Sequence, residues 1–363
     1  MPTPPAAPKQ PPTQPAAPLT VSVVMPAFNA AQHLTLSLPP LLTLLQRGLV
    51  LELLVVDDGS TDGTAALAAG MGATVLPSGG RTGPAAARNV AARQARGDLL
   101  WFVDADVVVH GGTAERLLRR FEDPALAAVF GSYCDAPPEQ SFFSQYKNLL
   151  HHFHHQRNAG ASSSFWSGCG AVRRIEFLAV GGFDARQFPR PSIEDVELGH
   201  RMQRAGLRID LDPALFCTHL KHWSLAQLVM VDIRARALPW CRLILAGRAP
   251  ARELNVAPAE RRSALLALGL LGALGLAWQP WLPAWLPGLL CLLALWSNWQ
   301  LLRFFQAKRG SAFALAAWSY HQIFYLYSSM TMACCWTERR LGLAVGHPAP
   351  SPQDATPAPT HDA

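Results

Sequence analysis

Charge is scarce in this 363-residue chain. Asp, Glu, Lys and Arg together make up 15% of it, against roughly 25% in ordinary soluble proteins. Lysine is nearly missing, with four residues beside 27 arginines. No Lys/Arg run exceeds two residues and no nucleic-acid recognition motif is present. The net charge of +6 therefore gives no reason to expect a nucleic-acid partner. Cysteine is sparse and dispersed: there are seven, with no CxxC and only Cys334-Cys335 adjacent. That excludes a disulfide framework or a sequence-evident zinc site and fits reduced thiols in a cytosolic setting. The N-terminus has no apolar core of the kind a cleavable signal peptide needs, so none is expected.

Apolar residues are abundant, at 50% with a mean hydropathy of +0.13. A fully solvated or disordered protein is excluded, and a soluble domain joined to a membrane segment is expected. Proline is unevenly placed: of thirty, eight lie in residues 1–18 and five in 347–363. Those two ends carry too little apolar surface to offset chain entropy and are expected to be disordered.

Between them, residues 20–26, 51–58 and 98–104 form apolar, β-branched runs, separated by helical segments at about 30–47, 62–71 and 84–96. This alternation predicts an α/β domain over 19–223 with a mostly parallel central sheet and flanking helices. A further strand is expected near 126–131, helices near 139–158, 174–180 and 194–205, and short strands or loops over 207–223. In such sheets ligands bind at the carboxyl ends of the strands. Pro26, Asp57, Asp58, Asp104 and Asp106 all fall there.

Residues 224–262 interleave Leu225, Leu228, Val229 and Ile233 with Arg234, Arg236, Arg242 and Arg248, the pattern of amphipathic helices lying on a membrane surface. Residues 263–302 carry no charged side chain, and Pro280, Pro283 and Pro287 interrupt them. Two transmembrane helices over 263–303 are expected, as a hairpin at about 263–280 and 284–302. Basic residues outside both ends place those ends in the cytoplasm. The chain is accordingly expected to be a multi-pass protein of the cell (inner) membrane with a cytoplasmic catalytic domain. Residues 304–346 form a third apolar segment, interfacial or membrane-spanning, in which Ser319, His321, Gln322, Ser328, Ser329 and Thr331 interrupt the apolar character.

The chemistry-bearing residues begin with Asp104-Ala105-Asp106 after the strand LLWFV. In an extended chain residues i and i+2 point the same way, so two carboxylates would converge. A hard cation, Mg²⁺ or Mn²⁺, resolves their repulsion and recruits substrate phosphates. Acidic groups such as Asp57 and Asp58 suit ribose hydroxyls or a base N–H, while Ser60 and Thr61 suit helix caps. Arg88 suits a diphosphate or the neighbourhood of the base, or is a helix-surface arginine. Glu194-Asp195 opens a helix, where acidic residues also satisfy the macrodipole. The histidines of His151-His152-Phe153-His154-His155 have no interleaved carboxylate and read as a polar helix face near the membrane or an acceptor.

In order along the chain, VSVVMPAFNA, VVDDGSTDGT, GPAAARNVA, GDLLWFVDAD, FWSGCGAVRR, VGGFD and IEDVELGHRMQRAG resemble glycosyltransferase family 2 with the GT-A nucleotide-diphospho-sugar transferase fold, over about residues 20–220. The resemblance implies a nucleotide-sugar donor bound by Pro26, Phe28, Asn29, Asp57, Asp58, Arg88 and Asp104. Asp57 would lie near the base. Asp104 and Asp106, with His219 as an additional contact, would lie near the metal and diphosphate. It implies Asp195 as general base with Glu194 orienting the acceptor, and an acceptor wall of Trp166, Gly168 and Cys169. Arg236-Ala237-Leu238-Pro239-Trp240 stands where processive synthases of this superfamily carry Gln-x-x-Arg-Trp, which speaks for single transfer. The expected partners are a nucleotide sugar, a glycolipid or lipid-linked glycan acceptor, and membrane lipids. Transfer to polyprenyl phosphate and a non-catalytic nucleotide-sugar-binding scaffold are the alternatives. The first needs no base, and the second predicts loss of the carboxylates.

Overall fold

The computed structural model describes residues 18–249 and 257–343. The proline-rich ends, nearly all of 1–18 and all of 347–363, lie outside the described residues, as do 250–256 of the expected amphipathic region.

Nine strands form one sheet in the order β3-β2-β1-β4-β8-β6-β9-β5, with β7 paired to β9. The strands are β1 (Val21–Ala27), β2 (Glu52–Asp57), β3 (Thr74–Pro77), β4 (Leu99–Val103), β5 (Val107–Val109), β6 (Leu126–Tyr133), β7 (Gly160–Ser162), β8 (Cys169–Arg173) and β9 (Arg208–His219). Seven helices are threaded between them: α1 (Ala31–Gln46), α2 (Thr64–Met71), α3 (Pro84–Gln94), α4 (Thr113–Arg120), α5 (Phe142–Arg157), α6 (Arg174–Ala179) and α7 (Glu194–Arg204).

Period-2 alternation explains the layers. Val23, Met25, Trp101 and Val103 enter the core on one face, while Val24, Leu100 and Phe102 enter the core on the other. Strands covered on both faces read as continuous apolar runs, which is why β1, β2 and β4 stand out in the sequence. The β3-β2-β1-β4 half is parallel. The other half is mixed, because β8 runs antiparallel to both β4 and β6. The expectation of short strands or loops over 207–223 is corrected by β9, one continuous strand of 12 residues. Its polar members Asp210 and Asp212 are held by Arg120 and Arg116 of α4 and so pass for loop residues in the sequence.

After the sheet domain, α8 (Leu225–Met230), a π-helical stretch (Val231–Ala237) and α9 (Leu238–Leu245) follow end to end. α10 (Pro258–Gly275) and α11 (Leu286–Ser297) form a hairpin, and α12 (Trp299–Arg340) is a long helix kinked at Gly310. A hairpin was expected here, and its helices have 18 residues in α10 and 12 in α11. Among the described residues no single helix is both long and apolar enough to cross a membrane. The 12-residue α11 is about 18 Å long, short of the roughly 30 Å hydrocarbon layer. It reaches span length only together with α12, from which it is bent by 71°.

Nor is 304–346 an isolated apolar appendage over its described part. His321 is hydrogen-bonded to Tyr146 of α5 at 2.6 Å. Lys308 reaches Asp135 at 2.5 Å, and Arg309 donates to Gln145 at 2.7 Å. Of the polar residues that interrupt this segment, His321 ties it to the sheet domain, while Ser319 and Thr331 bond within α12 and Gln322 bonds to Asn298 and within α12.

Candidate functional site

A cleft of about 1910 Å³ opens at the carboxyl ends of β1 and β4 and runs toward α10 and α12. Its shape follows from how the sequence motifs lock together. Asn89 of α3 accepts from the Phe183 backbone N–H at 2.9 Å and donates to the Phe183 carbonyl at 2.7 Å. Arg201 of α7 ties Glu197 to the carbonyls of Val180 and Gly182. Gly83, with φ 88°, lets the turn before α3 pass Pro189, whose carbonyl oxygen a Cβ would meet at 2.4 Å. These contacts bring α3 and α7 to the two sides of β4.

Arg88 occupies the junction. Its side chain is 4% exposed, and it donates to Asp104 Oδ1 at 2.6 Å and to Glu194 Oε1 at 3.1 Å. Burial, opposed by the charges of Asp104 and Glu194, leaves the guanidinium above its ordinary value. It therefore stays charged and joins two distant motifs. Glu194 also accepts from the Ser192 N–H at 2.8 Å. Both its oxygens are engaged, so it positions Arg88, and it lines the cleft beside Asp195, where it was expected to orient an acceptor.

The Asp104-Ala105-Asp106 segment is a tight turn rather than extended chain, closed by Val107 N–H to Asp104 O at 2.9 Å. The two carboxylates take different partners, yet both line the cleft and the charge of Asp106 is felt at Asp104. Asp104 faces Arg88, and burial raises its pKa. Asp106 lies 3.4 Å from His219, which stacks on Tyr133 with ring centroids 4.5 Å apart. Burial raises the Asp106 carboxyl, but the charge and hydrogen bond of His219 outweigh it and hold the group well below the carboxylate range. Among the described residues no three His, Cys, Asp or Glu groups converge on one point. The expected set of Asp104, Asp106 and His219 is not a ready-made triad. The donor chemistry nonetheless fits a hard cation. Asp106 and His219 offer oxygen and nitrogen at the cleft wall, beside a half-exposed Asp104, and such ions commonly take one or two carboxylates plus substrate phosphates.

Asp195 sits one residue beyond Glu194 and lines the cleft. Its Oδ2 accepts from the Ser167 N–H at 3.1 Å and its Oδ1 from the Val196 N–H at 2.8 Å. Burial, with the neighbouring Glu194 charge, pushes its pKa up to about 6. This is the range of a carboxylate that is ionised at neutral pH yet basic enough to take a proton.

The expected donor residues Pro26, Phe28, Asn29, Asp58, Arg88 and Asp104 line the cleft. Asn29, at φ 47°, accepts from the Thr61 N–H at 2.8 Å. Asp57 is placed differently: it accepts from the Ser60 N–H at 3.2 Å and lies off the lining. Asp58 is buried and spent on structure. It accepts from Ser78 at 2.7 Å, Thr82 N–H at 2.8 Å and Gly83 N–H at 2.8 Å. It thereby holds the 78–83 loop.

On the acceptor side, Trp166 lines the cleft, set edge-on to Tyr133 at 4.7 Å. Gly168 makes room for the Trp166 ring, which a Cβ would meet at 2.5 Å, and its carbonyl accepts from the Asp104 N–H at 3.2 Å. Cys169 is corrected. It sits on β8 opposite Val103, buried in the core, and cannot reach an acceptor.

Sequence reasoning passed over Arg81, which lies over the Phe28 ring at 4.4 Å on the donor side. Its signal was the flanking Gly79-Gly80 and Gly83, the composition of a loop that approaches a ligand. It also missed Lys147, hidden inside an apolar helix, and Arg236, which it assigned to a membrane surface. Both line the cleft, as do His151, His154 and His155.

The glycosyl transferase family 2 model matches residues 22–181. Among curated proteins the chain is similar to a pre-mycofactocin glycosyltransferase of Mycobacterium tuberculosis, 31% identical over 208 residues, covering 55% of this chain and 42% of that one. The chain spans about two-fifths of the length of the curated relatives it matches. Among solved structures it is similar to the mannosyltransferase PcManGT from Pyrobaculum calidifontis in complex with GDP-Man and Mn²⁺, at 19% identity, 88% coverage of each chain and a TM-score of 0.47. Glucosyl-3-phosphoglycerate synthase from Mycobacterium tuberculosis in complex with phosphoglyceric acid is 22% identical, with 64% of this chain and 81% of that one covered and a TM-score of 0.46.

Proposed function

Residues 22–181 of the chain belong to glycosyl transferase family 2, and on that premise we propose that the protein is an inverting, metal-dependent glycosyltransferase. It moves a sugar from a nucleotide-diphosphate sugar to a hydroxyl of a membrane-associated acceptor, a glycolipid or lipid-linked glycan. The observation that carries this reading is the pairing of Arg88 with both Asp104 and Glu194, which sets the base-range carboxylate of Asp195 on the same cleft as the donor residues.

The chemistry follows from those groups. A sugar hydroxyl is a weak nucleophile at neutral pH. Asp195 takes its proton as the acceptor oxygen bonds to the anomeric carbon. The bond from that carbon to the diphosphate oxygen breaks on the opposite face, and the diphosphate leaves with the electron pair, inverting the configuration. A positioned base contributes typically about 10²–10⁴-fold. Asp106 and His219, with Asp104 beside them, would hold Mg²⁺ or Mn²⁺, which when bound would supply positive charge against the leaving diphosphate. Phe28 and Arg81 flank the donor mouth, and Trp166 offers an aromatic face to sugar C–H surfaces.

The exposed tryptophans of the hairpin support a membrane acceptor. Trp278, Trp281 and Trp285 crowd the turn between α10 and α11, and Trp296 and Trp299 follow. Such rings favour the membrane–water boundary. With Arg261 and Arg262 near the start of α10 and Arg303, Lys308 and Arg309 in α12, the reading puts the protein on the cytoplasmic face of the cell membrane, anchored through α10–α12. The test is a screen of nucleotide sugars by thermal shift with Mn²⁺ or Mg²⁺, followed by NMR of the product formed with vesicles. An inverted anomeric centre on a lipid-extracted product is expected. A retained configuration, or no turnover of any donor that binds, overturns the reading.

A further inference from the structure

Beyond the donor pocket the same cleft holds a second charged centre, built from three separate elements. Lys147 of α5, its side chain 8% exposed, donates to Asp232 at 2.7 Å. Arg236 of the π-helical stretch lies 3.5 Å from the same carboxylate and 3.4 Å from His151 Nε2. Tyr327 of α12 donates its hydroxyl to the other oxygen of Asp232 at 2.9 Å. Two cations therefore share one carboxylate that is already hydrogen-bonded on both oxygens. Lys221, on the exposed lip, interacts electrostatically with both Asp106 and Lys147 and adds a third positive charge. Burial, reinforced by Arg236 and opposed by Asp232, brings the Lys147 ammonium down to about 8.

The centre has a defined position. Asp106 touches His219, His219 stacks on Tyr133, Tyr133 lies 5.8 Å from the His151 ring, and His151 meets Arg236. It is thus separated from the expected diphosphate site by a wall of aromatic rings. On its far side the cleft is lined by Leu265 and Leu268 of α10 and Phe324 and Met332 of α12, interspersed with Ser328 and Ser329 and with Glu260, whose carboxylate accepts from the Tyr325 hydroxyl at 2.8 Å. The π-helical register places Asp232 and Arg236 toward Lys147, and such insertions recur at functional positions.

We propose that Lys147 and Arg236, with Lys221 at the lip, bind an anionic phosphate group of the acceptor, whose apolar chain lies between α10 and α12. This deepens the proposed function and rests on it. The acceptor is then an amphiphile carrying a phosphate near the sugar that receives the new bond. Arg gives the phosphate a bidentate fork and Lys a point charge.

The full chain in detergent tests this with dodecyl phosphate, inorganic phosphate and dodecyl maltoside as probes. Dodecyl phosphate is expected to bind at least tenfold more tightly than either of the others. Arg236→Gln weakens it about tenfold, Arg236→Lys restores most of it, and the surface change Lys221→Gln weakens it severalfold without endangering the fold. Equal binding of dodecyl maltoside, or no effect of Arg236→Gln and Lys221→Gln, overturns the proposal. Inorganic phosphate binding as tightly as dodecyl phosphate assigns the centre to free phosphate and overturns the amphiphile. Displacement of dodecyl phosphate by a nucleoside diphosphate assigns it to the donor and likewise overturns it. Donor hydrolysis without acceptor reads the underlying function separately: its absence with every nucleotide sugar removes that reading whatever the probes do.

Discussion

In the sheet domain Trp101 is 1% exposed, while in the α10–α11 hairpin and its turn Trp278 is 77% and Trp296 69% exposed. The first region buries its large apolar side chains in two cores, one on each face of the sheet. The second has small clusters around Leu270, Ala294 and Trp318 and leaves Leu265, Leu292 and Leu343 outward. Soluble proteins rarely leave so much contiguous apolar surface without a partner. The exposed side chains of the second region support the proposed attachment to a membrane. The polar ties from Lys308, Arg309, His321 and Tyr327 hold the second at the mouth of the cleft in the first.

Changing the sheet domain's base has the largest expected effect on activity. Asp195→Asn is expected to keep nucleotide binding, measured by calorimetry with Mn²⁺, and to lower turnover at least about 100-fold. Unchanged turnover would remove Asp195 from the reaction. Arg88→Ala has the largest expected effect on stability. It strands Glu194 as an uncompensated buried carboxylate beside a partly exposed Asp104, and breaking a fully buried pair costs at most about 3–5 kcal/mol. Chemical denaturation should show a lowered midpoint, and an unchanged midpoint would mean that the junction carries no strain.

Replacing Trp278, Trp281 and Trp285 together by Ser sharpens the contrast from the other side. Vesicle co-sedimentation should fall by about tenfold or more, since each ring buries roughly 150–250 Å² when covered. The melting temperature should stay the same, because these rings contact no core. A lower melting temperature with intact vesicle binding would show the reverse: a hairpin that packs on protein.

The smallest effects are in pH. With Asp195 raised to about 6, kcat/KM should climb about tenfold per pH unit below that value and level off above it. The stability sign is opposite. A carboxyl with a raised folded pKa contributes stability below its unfolded value, near 3.8, and loses it as pH rises through about 6. Asp195→Asn should therefore melt slightly above wild type at pH 8 and lose that advantage below pH 4. A flat difference between the two would show that Asp195 is not perturbed.

These contrasts also explain what could be read in advance. β1, β2 and β4 were legible because burial on both faces makes their sequences continuously apolar, and their acidic ends marked the cleft. The turn at Asp104-Ala105-Asp106 and the separate partners of its two carboxylates were not, because a turn and a strand share the same spacing of carboxylates. The role of Glu194 was hidden by its partner Arg88, 106 residues away. β9 was obscured by acidic residues whose arginine partners lie on α4. In the C-terminal region hydropathy correctly marked apolar helices but not their lengths. Asn298 ends α11 and turns the chain by 71°, and its side chain's ties to Tyr325 and Gln322 are tertiary.

The central claim is that the cleft of the sheet domain acts on a molecule delivered by the apolar helices. The most direct measurement gives the purified protein a radiolabelled nucleotide sugar, divalent metal and membranes, and follows the label between aqueous and lipid phases for wild type and Asp195→Asn. The account predicts label in the lipid phase with wild type and at least about a 100-fold slower appearance with the variant. Label confined to water, or lipid labelling at equal rates in both proteins, would contradict it.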